Sequence, residues 1–320
     1  FGMDGLFSQS GIYSPSGQNY EPVDAGTISP YKEAKDGQIL QEGICEAGAL
    51  ASFMAAGTAY SHSQIPMIPI YIFYSIFGLQ RIGDMVWACG DAMTKGFLIG
   101  ATAGRTTLNG EGVQHQDGQS HVLASVVPNM MTYDPAFAYE LAVIMQDGIK
   151  RMYKDLEDVF YYITVYNENY THPAMPDNSH EGILNGMYCF KNASDSLLKE
   201  YKGKPMHLLG SGSLMQQVIE AQEILEKEGI PTFIWSVTSY NLLHRDFRSS
   251  KETKQKSYVE TILEGHQGHF LSVSDWITLL PDSISRLFPG GLTTLGTDGY
   301  GLSETREALR DHFGVGAHAL

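Results

Sequence analysis

The chain has 320 residues, 43% of them hydrophobic and 11% aromatic, enough for about two globular domains and too apolar for a disordered chain. Its formal charge of −15 argues against a nucleic-acid partner, because binding a phosphate backbone depends on Lys and Arg neutralising it. Three cysteines, Cys45, Cys89 and Cys189, are too few and too scattered for a disulfide framework or a zinc site. They read as buried small hydrophobes in a reducing compartment.

The chain opens on Phe1 with no visible signal peptide, and residues 314–320 read as the start of another apolar element. Both ends look cut, so the sequence reads as a piece of a longer protein. Residues 8–31 are rich in Ser, Gly, Pro, Asn and Tyr, which predicts a long loop. A buried helix is expected over 41–60, where Ile44, Ala47, Gly48, Ala51, Met54 and Ala55 recur at helical spacing. The continuous apolar run 67–73 predicts a fully buried parallel strand, and 76–89 a helix after it. The most apolar stretch, 65–77, is too short to span a bilayer.

Residues 104–121 hold four glycines, two histidines and two carboxylates with almost no apolar side chains. Glycine lets backbone approach a ligand closely, and histidine exchanges a proton near neutral pH, so this is expected to be a loop that handles substrate. The bland alternative is a solvated turn. Downstream, 122–127 reads as a strand, 135–153 as a helix carrying Ala138, Leu141, Ala142, Met145 and Ile149, and 160–165 as a strand. Strand and helix alternate, which makes the class α/β. Polar residues 167–178 and a weakly patterned stretch over 185–204 place a domain boundary near 185. A βαβ unit then follows: a strand over 206–209, the turn Gly210-Ser-Gly-Ser213, a helix over 214–228 and a strand over 232–238. That turn stands where a helix N-terminus could hold an anion, or it is the tight turn of any doubly wound sheet.

Three stretches now converge: Gln38-Ile-Leu-Gln-Glu-Gly-Ile-Cys-Glu46, Tyr71-Ile-Phe-Tyr-Ser-Ile-Phe-Gly-Leu-Gln-Arg-Ile-Gly-Asp84 and the glycine–histidine loop. With Tyr133-Asp-Pro-Ala-Phe-Ala-Tyr-Glu140, Asn167-Glu-Asn-Tyr170, Pro173-Ala-Met-Pro176 and Gly296-Thr-Asp-Gly-Tyr-Gly301, the chain resembles the homodimeric bacterial type of pyruvate dehydrogenase, its decarboxylating component. That family belongs to the transketolase-like thiamine diphosphate enzymes. The resemblance implies a thiamine diphosphate-binding fold of the pyrimidine-binding type over 1–185, N-terminally truncated. It implies a transketolase C-terminal-like α/β domain over 186–320, C-terminally truncated. The family's Gly-Asp-Gly motif with its following Asn pair, which holds diphosphate and magnesium, is absent from these residues. The magnesium ligands are therefore expected in a missing N-terminal domain, and no metal ligand is assigned here.

The resemblance also implies roles. Glu46 matches the glutamate that polarises the cofactor's pyrimidine nitrogen, and its neighbours Ile44, Ala47, Gly48 and Ala49 predict an apolar pocket that would raise its pKa. Phe77 matches the ring that stacks on the aminopyrimidine, and Tyr74 a residue that reaches substrate; without the resemblance both would be core aromatics. His115 matches a histidine of the substrate pocket, suited to bind a carboxylate and donate a proton, with Glu111 four residues earlier to orient it. The roles of Arg81 and His121 stay open, a structural hydrogen bond being one reading of the latter. The implied activity is oxidative decarboxylation of pyruvate with acetyl transfer to the lipoyl group of dihydrolipoyl acetyltransferase, by a cytoplasmic homodimer with no membrane partner. The 8–31 segment corresponds to a mobile loop at the active-site mouth. The alternatives are a transketolase or another 2-oxo acid dehydrogenase, or a non-catalytic dimerising or docking fragment.

Overall fold

The computed structural model describes residues 9–23, 25–27 and 31–320, and the chain divides into two compact units, Phe1–Ala49 and Leu50–Leu320. In the first unit, β1 (Ile12–Tyr13) and β2 (Glu33–Ala34) pair in parallel, and the hydroxyls of Tyr20 and Tyr31 donate to the Glu33 carboxylate at 3.1 and 2.9 Å. The loop expected over 8–31 therefore contains a strand, and its residues 8, 24 and 28–30 lie outside the described residues.

The first long helix is Glu46–His62, starting later than the 41–60 expectation. Its buried positions are Leu50, Phe53, Gly57 and Ala59, whereas Ile44, Ala47, Ala51 and Ala55 are exposed. The buried stripe is thus not the one the spacing predicts. Its face is set by Gly57, where the helix backbone lies against Thr94 and Lys95 with Lys95 N–H donating to the Gly57 carbonyl at 3.0 Å.

Four parallel strands form the first sheet: β3 (Ile70–Phe73), β4 (Phe97–Ala101), β5 (Met130–Tyr133) and β6 (Phe160–Val165), in the order β3-β4-β6-β5. The run 67–73 is parallel as expected but not fully buried. Only Ile70–Phe73 pairs, at the sheet edge beside β4 alone, and Met67, Ile68, Ile70 and Ile72 are exposed. The helix Ser75–Asp91 follows it, buried through Ile76, Leu79, Ile82 and Val86. The expected strand over 122–127 is instead the end of a short helix, Ser120–Ala124. Asp117 causes the difference: its Oδ1 accepts from Gln119 N–H and Ser120 N–H at 3.1 and 2.9 Å, capping a helical turn that an apolar run alone does not reveal. Helix Ala138–Ile149 then continues into a π-helical turn, Lys150–Lys154.

The second sheet contains β7 (Met187–Lys191), β8 (Met206–Gly210), β9 (Thr232–Val237), β10 (His269–Val273) and β11 (Leu292–Leu295), ordered β11-β10-β8-β9-β7. All neighbours are parallel except β7, which runs antiparallel to β9. The βαβ unit is present, with helix Met215–Lys227 between β8 and β9. Glu140 ties the two sheets together. Fully buried, it accepts from Ala136 N–H and Phe137 N–H at 2.6 and 3.2 Å, and from the Tyr188 and Ser236 hydroxyls at 2.7 Å each. Burial pushes its pKa up while these four donors pull it down, the arrangement a buried carboxyl needs to be tolerated.

No helix of the described residues is long and apolar enough to cross a membrane. All three cysteines are free, and Cys45 is exposed rather than buried, since the stretch before Glu46 is not part of the helix.

Candidate active site

Tyr74 is the residue that caps helix Ser75–Asp91, directly after β3, so its ring stands at the C-terminal end of a parallel strand. In open α/β sheets that edge is where ligands bind. Phe77 lies three residues on and Arg81 four beyond it, which puts all three on one helix face. The Tyr74 and Phe77 rings stack with centroids 5.1 Å apart, and the Arg81 guanidinium sits 4.6 Å from the Phe77 centroid.

The glycine–histidine loop brings His115 to this face. It ends a 3₁₀ turn, Val113–His115, and meets Tyr74 edge-on at 5.1 Å and Phe77 at 5.4 Å, with interplanar angles of 70° and 83°. Its side chain is 22% exposed, and its Nδ1 is buried with no hydrogen-bond partner. Glu111 Oε2 lies 3.7 Å from that nitrogen, close enough for charge attraction and too long for a hydrogen bond. The structure brings Tyr74, Phe77 and His115 together, with Glu111 beside His115. An imidazole nitrogen without a hydrogen-bond partner thus lies beside a half-exposed aromatic pair.

Glu46 lies in the first turn of the helix Glu46–His62, where a carboxylate is favoured by the helix dipole. It is half-buried, and the flanking Ile44 and Ala47 are exposed, so the apolar pocket expected around it is not formed by those residues.

Much of the loop is buried. Arg105, Thr106, Thr107, Gln116, Asp117, Ser120 and His121 are buried, and only the stretch around 109–114 is exposed. His121 belongs to a buried network. Asp134 accepts from the Thr164 hydroxyl at 2.7 Å, from the Tyr166 hydroxyl, and from Trp276 Nε1–H at 2.8 Å. With its one proton committed to Asp134, Thr164 can only accept from His121 Nε2, 2.9 Å away, which fixes the histidine tautomer. Burial pushes the His121 pKa down and the ring stays neutral; its role is structural.

The Gly210-Ser-Gly-Ser213 turn is a packed tight turn. Gly212 has φ +51°, its N–H donates to the Asp134 carbonyl at 3.3 Å, and the Tyr166 ring lies where a Cβ would stand. The Tyr166 ring thus requires glycine at this position. Among the described residues no group of three or more His, Cys, Asp or Glu is arranged for a metal ion.

Residues 1–173 match the model of the pyruvate dehydrogenase E1 component middle domain, and residues 186–316 that of the transketolase-like C-terminal domain. The chain belongs to the pyruvate dehydrogenase E1 component family. It is 51% identical to the pyruvate dehydrogenase E1 component of Pseudomonas aeruginosa over 99% of this chain and 37% of that protein. Against the Escherichia coli K12 pyruvate dehydrogenase E1 component it is 49% identical over 99% of this chain and 36% of that protein. The chain thus spans little more than a third of the length of these relatives. Two solved structures share the fold. Transketolase from Campylobacter jejuni superposes with a TM-score of 0.64 at 18% identity, covering 93% of this chain and 40% of that one. A split-gene transketolase, described as an inactive β4 tetramer, gives 0.62 at 15% identity, covering 99% of this chain and 92% of that one.

Sequence reasoning missed the residues that hold the loop from a distance: Asp275, Glu168, Arg306 and Arg310. Glu168 and the segment before Arg306 lie in stretches already singled out, Asn167-Glu-Asn-Tyr170 and Gly296 to Gly301, but nothing in either marks a partner.

Proposed function

We propose that this chain is the pyrimidine-binding and C-terminal part of a thiamine diphosphate-dependent pyruvate dehydrogenase, with a pyrimidine-binding domain over 1–185 and a transketolase C-terminal-like domain over 186–320. The observation that carries this is the meeting of Tyr74, Phe77 and His115 at the C-terminal end of β3, in a chain of this family. A half-buried aromatic ring and a carboxylate in a helix first turn suit the aromatic and nitrogen-bearing part of the cofactor. The family's diphosphate and magnesium motif is absent from this sequence. Those contacts belong, on this reading, to parts of the protein outside this sequence.

Bound thiamine diphosphate supplies carbanion stabilisation that no side chain can provide. Glu46 would hold a proton at the pyrimidine nitrogen, and Phe77 would stack on that ring. Tyr74 and the partly exposed His115 imidazole would face pyruvate, where the imidazole could bind the carboxylate or give a proton to the developing alkoxide. Glu111 Oε2, 3.7 Å from His115 Nδ1, is placed to orient the imidazole. The acetyl group then passes to the lipoyl group of dihydrolipoyl acetyltransferase, within a cytoplasmic homodimeric component of the multienzyme complex.

The test is His115→Ala in the full-length protein. Turnover of pyruvate should fall by about 10² or more, as expected for a positioned acid, with cofactor binding little changed. Parent-like turnover would remove His115 from the chemistry and refute this assignment of the site.

A further inference from the structure

The loop bearing His115 is held by residues far away in sequence. β10 ends at Val273, and two residues later Asp275 turns its carboxylate onto the start of the loop. Oδ1 accepts from Thr106 N–H at 2.9 Å, and Oδ2 from Thr107 N–H at 3.2 Å. The side chain is almost completely buried, so these backbone donors take the place of water for an otherwise costly group. A second layer secures Thr107. Its hydroxyl donates to Glu168 Oε2 at 2.7 Å, an oxygen that also receives Arg310 Nη2–H at 2.5 Å. Its carbonyl accepts from Arg306 Nε–H at 2.8 Å.

The far side of the loop is fixed as firmly. Gly110 N–H donates to the Glu304 carbonyl at 3.0 Å. Gln116, next to His115, is buried and donates from Nε2 to the carbonyls of Leu108 and Glu111 at 3.3 and 3.1 Å. Gly301 lies so close to the Gln116 side chain that a Cβ there would overlap it. Between these anchors only the stretch bearing Glu111 and Val113 is exposed, and His115 itself makes no hydrogen bond through Nδ1 that would fix its ring. The imidazole is aimed by where the loop is pinned.

We infer that Asp275 is a positioning residue for His115: its carboxylate, just beyond the end of β10 in the second sheet, sets the backbone of the loop and so the placement of the imidazole against Tyr74 and Phe77. This rests on the reading that His115 acts on pyruvate. Asp275 touches neither His115 nor the aromatic pair, and its influence runs through Thr106 and Thr107. Both oxygens accept from backbone N–H groups, Thr106 N–H also reaching Oδ2 at 3.1 Å. An amide would keep one acceptor and turn its NH₂ against the Thr106 N–H at the Oδ1 position, which pushes the loop backbone away.

The experiment compares Asp275→Asn, His115→Ala and the double variant in the full-length enzyme. Steady-state turnover of pyruvate is read beside hydrogen–deuterium exchange at the cofactor's reactive carbon. Asp275→Asn should lower kcat/KM for pyruvate by about tenfold or more while exchange at the cofactor stays within about twofold, because the loop does not carry Glu46. In the His115→Ala background it should cost little further, since a residue that acts only through His115 has nothing left to position. Unchanged kcat/KM in Asp275→Asn would overturn the inference, as would equal losses in turnover and cofactor exchange, or full additivity with His115→Ala. If His115→Ala turned over pyruvate like the parent, the underlying reading would fall instead. Should Asp275→Asn fail to fold, Asp275→Glu, which keeps both acceptor oxygens but moves them by one methylene, must show the same split between pyruvate turnover and cofactor exchange; parent-like kcat/KM in a folded Asp275→Glu would overturn the inference.

Discussion

Lowering the pH should destabilise the second sheet through one residue, His207. It lies on β8 with Phe233 of β9 and Phe270 of β10 paired on either side, and its ring stacks on both at 4.7 and 4.3 Å. Trp235 Nε1–H donates to its Nδ1 at 3.1 Å, so that nitrogen must be an acceptor and the ring neutral. Protonation would set an N–H against an N–H inside an apolar stack. Burial, and secondarily the nearby His266, push the His207 pKa from 6.5 down to about 4. The folded-state value is depressed, so the stabilisation is fully present above pH 6.5 and is lost as pH falls toward 4. At pH 4.5 the linkage amounts to about 2.5 kcal/mol, against a few tenths at pH 7. For a domain of this size that corresponds to a drop in Tm of roughly 5–10 °C. Carboxylates also titrate in this range, so the comparison is with His207→Gln, whose amide oxygen can still accept from Trp235 but does not titrate. Thermal melts of both proteins at pH 7 and 4.5 should show the parent losing more stability than the variant by about 2 kcal/mol. Parallel losses would mean that His207 is not held neutral by the stack.

Two further outcomes test the cofactor side. In the full-length enzyme, Glu46→Gln keeps size and hydrogen bonding but cannot share a proton with the pyrimidine nitrogen. Deuterium exchange at the cofactor's reactive carbon, read by NMR after acid quench, should slow by roughly 10² to 10⁴, and a parent-like rate would remove Glu46 from activation. Residues 1–320 alone should bind thiamine diphosphate weakly by calorimetry, because charge-assisted contacts to magnesium and diphosphate supply much of the affinity. Tight magnesium-dependent binding would show that these residues carry a diphosphate site.

What the sequence made legible depended on how local the cause was. The strand Phe160–Val165 and the helix Met215–Lys227 follow from apolar periodicity and turn residues within a few positions, and both appear where they were expected. The central strand Phe97–Ala101 was not recognised: five residues without strong alternation, buried throughout, carry too little pattern of their own. Val122–Val127 failed for the opposite reason. Its run of apolar residues fits a strand as well as a helix, and the deciding contacts come from Asp117, outside the run. Edge position is likewise invisible locally, so β3 looked like a buried strand although its outer side chains are uncovered.

The site divides along the same line. Tyr74 and Phe77 are singled out only through the family resemblance, since local character alone reads them as core aromatics, whereas His115 stands in a glycine–histidine loop with strong character of its own. Neither signal marks the loop's anchors. Asp275 is 169 residues from Thr106, and Arg306 is 199 from Thr107, so no spacing rule relates them. Each has an ordinary neighbourhood, and only the three-dimensional pairing turns a lone aspartate after a strand into the carboxylate that accepts from two backbone N–H groups. On the proposed reading, side chains that meet ligand and those that aim them are under different physical demands: the first stay partly open, as the His115 side chain is, and the second are buried and bonded, as Asp275 is. That contrast predicts where tolerance to substitution will be found around the loop. Exposed positions such as Val113 should accept polar replacements with effects within about 0.5 kcal/mol on stability, whereas changes at Asp275 should disturb stability as well as the aim of His115.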